Sequence, residues 1–231
     1  PGNGGMHDLG TMTDVDAMDF PAVERYVRKH AIDLIVVGSE APLVAGIADY
    51  FEASGKTNVA VVGPKKEGAM LEGSKDFAKA FMHRHNIPTA RYESFNSEQL
   101  AEAITALDTF NPPYVIKADG LAGGKGVIIT ESKQEACDTL ESMLKGGAFK
   151  EAGKRVVIEE FLAGQEVSMF VVTDGKSYHI LPSAKDYKRI GEGDTGPNTG
   201  GMGAISPVPY LSEEFQQKAL NQIIIPTIKG L

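Results

Sequence analysis

Short continuous apolar runs alternate with helix-spaced ones through the first third of the chain. Val23, Tyr26 and Val27 recur at helical spacing between Phe20 and His30, with Pro21 suited to a first turn. Ile32 to Val37 predicts a buried strand stopped by Gly38-Ser39-Glu40-Ala41-Pro42, Leu43 to Phe51 a helix, and Val59 to Val62 a second buried strand ending at Gly63-Pro64. Helices alternating with short apolar strands indicate a parallel, doubly wound sheet. Ligands of such sheets gather at the carboxyl ends of strands, where Gly38 to Pro42 falls.

The remainder reads differently. A helix is expected from Ser74 to His85, with Phe77 and Phe81 one turn apart, and another is marked by Leu100, Ala103, Ile104 and Leu107. Asn111-Pro112-Pro113 stops the latter before a strand. Ser132 and Glu135 form a capping box for a helix that presents Ala136, Leu140, Met143 and Leu144 on one face. Val156 to Glu160, Glu166 to Thr173 and Tyr178 to Ala184 predict strands, the last two joined by a turn at Asp174-Gly175. This half reads as an α+β unit on an antiparallel sheet.

Composition narrows the ligands. The chain has 231 residues and a formal net charge of −8, which argues against general attraction to nucleic acid or an anionic membrane. A bound polyphosphate must therefore be held by a local lysine cluster. The only cysteine, Cys137, has no partner for a disulfide or a thiolate metal site. No apolar run approaches a membrane span and no signal-like N-terminus is present, so a cytosolic compartment is expected.

The stretch from Tyr114 to Thr130 carries the main chemistry. Two β-branched runs flank Asp119-Gly120-Leu121-Ala122-Gly123-Gly124-Lys125-Gly126, with Lys117 near the end of the first run and Lys125 inside the loop. Glycines let backbone N–H groups wrap an anion, and the two ammonium groups add charge at fixed points. A nucleoside triphosphate suits that arrangement, although an ordinary glycine-turned hairpin with surface lysines would read the same way. The Walker pattern is excluded, because Asp119 stands where its first glycine belongs and Gly126 where its hydroxyl belongs. Gly191, Gly193 and Gly196 match G-x-G-x-x-G formally, but Pro197 follows where a helix should run, so the match is read as accidental.

Two further segments complete the candidate site. Alternation along Val156 to Leu162 puts Glu159 and Glu160 on opposite faces; Glu160, Phe161, Leu162 and Glu166 could supply a purine with edge contacts, an apolar cover and a ribose-binding carboxylate. An edge strand with solvated glutamates is the competing reading. Ala184 to Arg189 and Asp194 to Gly203 form a polar, glycine-rich loop region in which Asp186, Arg189, Asn198 and Thr199 could meet a small polar substrate.

Together, Ser74-Lys75-Asp76-Phe77, Lys117 to Gly126, Glu159-Glu160-Phe161-Leu162 and Gly196-Pro197-Asn198-Thr199-Gly200-Gly201-Met202-Gly203 resemble the phosphoribosylamine–glycine ligase family of ATP-grasp enzymes. The resemblance runs along essentially the whole chain, and the last motif is its most specific part. It implies an ATP-grasp fold preceded by a Rossmann-like parallel-sheet substrate domain, α/β and α+β in class, truncated at both ends. Residues 1–73 would be the incomplete N-terminal domain and 74–231 the ATP-grasp domain, incomplete at its C-terminus, with a lid at about 112–165.

The same resemblance implies roles. Lys75 and Lys117 would face the ATP phosphates, Gly120, Gly123, Gly124, Lys125 and Gly126 would form the lid, Glu160, Phe161 and Leu162 would lie along adenine, and Glu166 at the ribose, with Glu159 also among the ATP-binding residues. Gly2, Asn3, Glu40, Asp186, Lys188, Arg189, Asn198, Thr199, Gly200 and Gly201 would surround glycine and phosphoribosylamine. The implied reaction of purine biosynthesis passes through glycyl phosphate and uses Mg2+ or Mn2+, with no side-chain nucleophile. The metal ligands of the family are expected after Leu231, so this stretch alone is expected to be inactive. Partners would be small molecules, and the protein a monomer or weak oligomer. Ser39 and Gly123 depart from the common proline and alanine of the family pattern. Other ATP-grasp enzymes such as carboxylases, a regulatory ATP-binding module and a Rossmann oxidoreductase are the alternatives.

Overall fold

The computed structural model describes residues 4–55, 58–122, 126–147, 149–193 and 195–231. Two compact units are present, residues 1–73 and 74–231.

In the first unit, α1 (Phe20–Lys29) begins where Asp19 caps it, accepting the Ala22 N–H at 3.0 Å, and ends with Arg28 and Lys29 near the negative pole of its dipole. The strands β1 (Leu34–Val36) and β2 (Ala60–Val62) pair in parallel, Ile35 opposite Val61. Between them the expected single helix is two, α2 (Glu40–Ala45) and α3 (Ile47–Ser54). The break is at Gly46, whose φ of 94° is left-handed and ends the first helix. Helix α4 (Lys66–Gly73) was not legible locally, because its capping carboxylate is tertiary: Asp49 Oδ2 accepts the Lys66 N–H at 2.7 Å.

The expectation that both strands are buried needs correction. Ile35, Val37 and Val61 pack on the cluster of Val27, Ile47 and Phe51, whereas Leu34, Val36 and Val62 are exposed. Successive strand residues face opposite sides, and among the described residues only one side of this small sheet is covered.

The second unit is organised by a four-stranded antiparallel sheet in the order β3-β6-β4-β5, formed by β3 (Tyr92–Asn96), β4 (Tyr114–Ala118), β5 (Val127–Thr130) and β6 (Arg155–Glu159). The sheet extends beyond residues 112–165, since β3 pairs with β6. Three helices accompany it: α5 (Lys75–Arg84), α6 (Leu100–Ala106) and α7 (Lys133–Leu144). Ala103, Leu107, Ala136, Leu140 and Met143 close over Ile116, Ala118, Val156 and Ile158, all but Met143 without solvent exposure. Removing this much apolar surface from water is the main stabilising term, of order 1.5–3 kcal/mol for each large side chain buried.

The capping box before α7 is only half built. Ser132 Oγ accepts the Glu135 N–H at 3.2 Å, but the Glu135 carboxylate turns instead to the hydroxyl of Thr130. That bond ties the helix start to the end of β5.

Beyond the sheet, β7 (Val171–Thr173) and β8 (Tyr178–Ile180) are shorter than the sequence suggested, with a single further bridge between Ser168 and Ala184. Their turn forms as expected: Asp174 Oδ1 accepts the N–H groups of Lys176 and Ser177. A larger correction concerns the glycine-rich stretch. It is not an irregular loop but one arm of a hairpin, β9 (Lys185–Gly191) and β10 (Thr195–Ile205), whose register shifts on both sides of Asn198. Gly191 and Gly193 sit at its turn end, which rules out a dinucleotide-binding role for that triplet. The chain ends in α8 (Glu213–Ala219), a π-helical turn over Leu220–Ile224, and α9 (Ile225–Gly230).

Candidate nucleotide and substrate site

Lys75 is the first residue of α5, and the start of that helix is built jointly with the glycine loop. Ser74 Oγ accepts the Phe77 N–H at 3.1 Å and donates to Asp119 Oδ1 at 3.0 Å, while the same Asp119 oxygen accepts the Asp76 N–H at 2.8 Å. The residue following β4 thus caps α5 from a distant part of the sequence. The Lys75 ammonium donates to the Gly120 carbonyl at 3.2 Å. Gly120 itself approaches the 3-10 turn at Lys150–Lys154 so closely that a Cβ would lie 3.0 Å from that of Ala152. The opposite end of the loop is fixed by the Ala118 N–H, which donates to the Gly126 carbonyl at 2.8 Å. Gly123, Gly124 and Lys125 lie outside the described residues, as do Gly2 and Asn3.

Lys117 and Glu159 meet because of strand register. Lys117 pairs with Val157 across β4 and β6, so Glu159, two residues on, lies diagonally on the same face. Their side chains approach to 2.9 Å, and Lys79 of α5 reaches the same carboxylate oxygen at 3.1 Å. Burial pushes the Lys79 ammonium below the usual lysine range, with Glu159 opposing the shift. Glu160 falls on the other side of the strand, as alternation requires. Its carboxylate accepts the Arg91 N–H at 2.8 Å and its own N–H donates to the Arg91 carbonyl at 3.0 Å. Neither glutamate carboxylate is therefore idle: one holds lysines, the other clips the segment after β6 to the residue before β3.

A cleft of about 1010 Å³ opens beside these residues. One wall carries Lys117, Glu159, Glu160, Phe161 and Leu162; Glu166 lies further along, and Asp186, Lys188, Arg189 and Asn198 come from the hairpin. Phe161 and Leu162 expose apolar surface there, and Phe215, Ala219, Ile223 and Ile224 of the terminal helices add more. The π-helical turn belongs to this lining, a distortion often found at functional sites. An adjoining recess of about 730 Å³ shares Phe161, Arg189 and Asn198 and adds Thr199 and Gly200.

Across the cleft, Lys188 stands 3.1 Å from Asp186 and 3.7 Å from Glu166. The hydrogen bond to Asp186 raises the Lys188 ammonium above its ordinary range. Thr199 Oγ1 donates to the Lys188 carbonyl at 2.8 Å and accepts the Gly201 N–H at 3.1 Å, holding the shifted register. The arrangement can bind an anion beside an apolar slot, with charged and amide groups opposite.

Five of the described candidate residues are not part of the lining of the cleft or its adjoining recess. Lys75, Gly120 and Gly126 form the base of the glycine loop, Gly201 stays within the hairpin, and Glu40 is an exposed first-turn residue of α2 in the other unit. Lys79, Thr89, Ala90 and Arg91 were missed by sequence reasoning. A signal existed for Lys79: it lies four residues after Lys75, on the same helix face.

Two family models match this chain. Residues 1–72 match the N domain of phosphoribosylglycinamide synthetase, and residues 73–231 match its ATP-grasp (A) domain. The chain belongs to the phosphoribosylglycinamide synthetase family. Over its whole length it is 47% identical to the phosphoribosylamine–glycine ligase of Haemophilus influenzae and 46% identical to that of Yersinia pestis, covering 53% of each. The crystal structure of phosphoribosylamine–glycine ligase from Thermotoga maritima superposes with a TM-score of 0.78 at 39% identity, covering all of this chain and 54% of that one. Biotin carboxylase from Campylobacter jejuni, 18% identical with a TM-score of 0.71, covers 92% of this chain and 46% of that one, and shares the fold. The chain spans about half the length of the curated relatives it matches.

Membership in this family establishes the ATP-grasp fold and sets aside the Rossmann oxidoreductase reading. Among the described residues no helix is long and apolar enough to cross a membrane. No group of three or more His, Cys, Asp or Glu among them could hold a metal ion.

Proposed function

We propose that this chain forms the nucleotide-binding part of a ligase that joins glycine to 5-phosphoribosylamine at the expense of ATP, giving glycinamide ribonucleotide, ADP and phosphate. The observation that carries this reading is the single cleft in which Lys117, Phe161 and Leu162 face Asp186, Lys188, Arg189 and Asn198. One side suits a purine nucleotide and the other a small zwitterion and an amine.

In this reading residues 1–73 serve the substrates and residues 74–231 grasp ATP, with a lid at about 112–165. Adenine lies against Phe161 and Leu162, and the ribose near Glu166. Lys117 and Lys75 attract the phosphates, and Gly120 to Gly126 close over them. Glycine's carboxylate oxygen attacks the γ-phosphorus and the bond to the β,γ-bridging oxygen breaks, releasing ADP and leaving glycyl phosphate. The amine of phosphoribosylamine then attacks the acyl carbon; the C–O bond to phosphate breaks, and the amine proton leaves to water. Both steps shift negative charge on phosphoryl oxygens, so the chain contributes chiefly by positioning and by its ammonium groups. No side-chain nucleophile or base is assigned.

A divalent cation, Mg2+ or Mn2+, supplies charge neutralisation in phosphoryl transfer of this kind. The described residues do not provide a ligand set for it. A cytosolic monomer or weak oligomer is the form in which we place the enzyme, with small molecules alone as partners. The test is a coupled assay on the full-length protein. ADP and phosphate released only when glycine and phosphoribosylamine are both present is the expected result; release without either substrate, or none with both, refutes it.

A further inference from the structure

Lys79 is a cation largely withdrawn from solvent. It is 7% exposed, and its ammonium donates to Thr89 Oγ1 at 2.8 Å and to the Ala90 carbonyl at 3.3 Å, with Glu159 Oε2 at 3.1 Å and the Tyr92 ring beneath it. An ammonium has three N–H groups, and these partners occupy them. Lys79 therefore cannot turn towards a ligand in the cleft. Keeping such a charge buried is costly unless it is paired, and among the described residues the carboxylate it pairs with is the one that also holds Lys117.

The geometry has an electrostatic consequence. If Lys117 and Glu159 were alone, each would neutralise the other, and the ion pair would present little net charge to an incoming phosphate. With Lys79 on the same oxygen, two cations share one anion, and the excess positive charge is felt where exposure exists, at Lys117. The other nearby carboxylate, Glu160, accepts the Arg91 N–H on the opposite side of the strand; its charge still acts on Lys79 through space, more weakly than that of Glu159, and lessens the excess without touching either ammonium. Lys79 also pins the Glu159 rotamer, so the Lys117 ammonium is held at one place before any ligand arrives.

We propose that Lys79 is a positioning residue for the nucleotide, which shares Glu159 with Lys117 so that the Lys117 ammonium stays fixed and net-positive towards the phosphates. The inference rests on the proposed ATP site. It assigns Lys79 no contact with ligand.

The test compares ATP with adenosine on the full-length protein, because adenosine carries the purine and ribose but no phosphate. Lys79→Met removes the charge and keeps much of the volume. ATP affinity should fall about tenfold or more, as for a loss near 1.4 kcal/mol, while adenosine affinity stays within about twofold. In a Lys117→Met background the same substitution should change ATP affinity little, since the group it acts through is gone. Lys79→Gln, which keeps a hydrogen-bond donor without the charge, carries the comparison should the methionine variant not fold. Unchanged ATP affinity, an equal loss for ATP and adenosine, additivity with Lys117→Met, or failure of both Lys79 variants to fold would each overturn the role. Those results differ from failure of the ATP site itself, which would appear as absent ATP binding in the unsubstituted protein.

Discussion

The sheet β3-β6-β4-β5 and the hairpin β9-β10 border one cleft and are built on opposite principles. In the sheet, Ile116, Ala118, Val156, Val157 and Ile158 are wholly buried, and the charges it presents are locked: Lys117 to Glu159, Glu159 to Lys79, Glu160 to the Arg91 backbone. In the hairpin none of the described side chains is buried, and its polar groups are held mainly by backbone contacts such as Thr199 to Lys188. The sheet fixes its charges before a ligand binds, at the cost of burying them. The hairpin keeps its donors and acceptors solvated and commits them on binding. In the proposed function the first wall would face the phosphates with preset charge, and the second would face the small, strongly hydrated amino acid.

This contrast can be tested at two points, with a third outside both regions as a control. The largest effect should come from core truncation. Leu140→Ala, in the cluster over the sheet, should destabilise the protein by about 2–5 kcal/mol, whereas Ile190→Ala on the exposed hairpin should stay within about 0.5 kcal/mol. Denaturant unfolding of the two variants checks this, and equal losses would erase the distinction between the two regions.

A smaller and more specific effect is expected at Asn198. Its side chain lines both the cleft and the adjoining recess without a role in the core. Asn198→Ala should leave ATP affinity within about twofold and slow ligation by roughly tenfold or more, the loss expected for one substrate hydrogen bond to a charged partner. ATP titration beside the coupled assay separates the two. Parallel losses would move Asn198 to the nucleotide wall.

The smallest effect concerns the Asp174 turn, outside both regions and useful as a control. Two backbone N–H groups, from Ser177 and Lys176, hold its carboxyl below the ordinary value of 3.8. A carboxylate depressed on folding contributes stability that is present above the unfolded value and lost as pH falls through the folded one. The difference in melting temperature between the natural protein and Asp174→Ala should therefore be small near neutrality and shrink towards zero as the solution is acidified through and below the ordinary carboxylate range. A difference that grew on acidification would contradict the sign.

Much of the sheet region was legible from sequence. Tyr114 to Thr130 declared itself through β-branched runs around glycines, the helix over Lys133–Leu144 through its cap and apolar face, and the opposed sides of Glu159 and Glu160 through simple alternation. What alternation does not contain is the partner of each side chain. Lys79 reads as a surface lysine on an amphipathic helix until β4 and β6 bring Lys117 and Glu159 beneath it. The hairpin failed for another reason: glycines and polar residues suppress the period-two apolar signal, so a paired strand from Thr195 to Ile205 looks like a loop. Helix α4 was lost because its cap, Asp49, is supplied from another helix.

By itself, the sequence determined the elements whose signals are local: the capped helices, the apolar strands, the Asp174 turn and the motifs that mark the family. Those follow from backbone preference and side-chain periodicity within a few residues. Only the tertiary structure decided which charges meet, which strand faces are covered, and that residues from Ala90 to Ile224 border one cleft. Such outcomes depend on strand register and on burial across tens of residues, where a shift of one position would move every side chain to the other face.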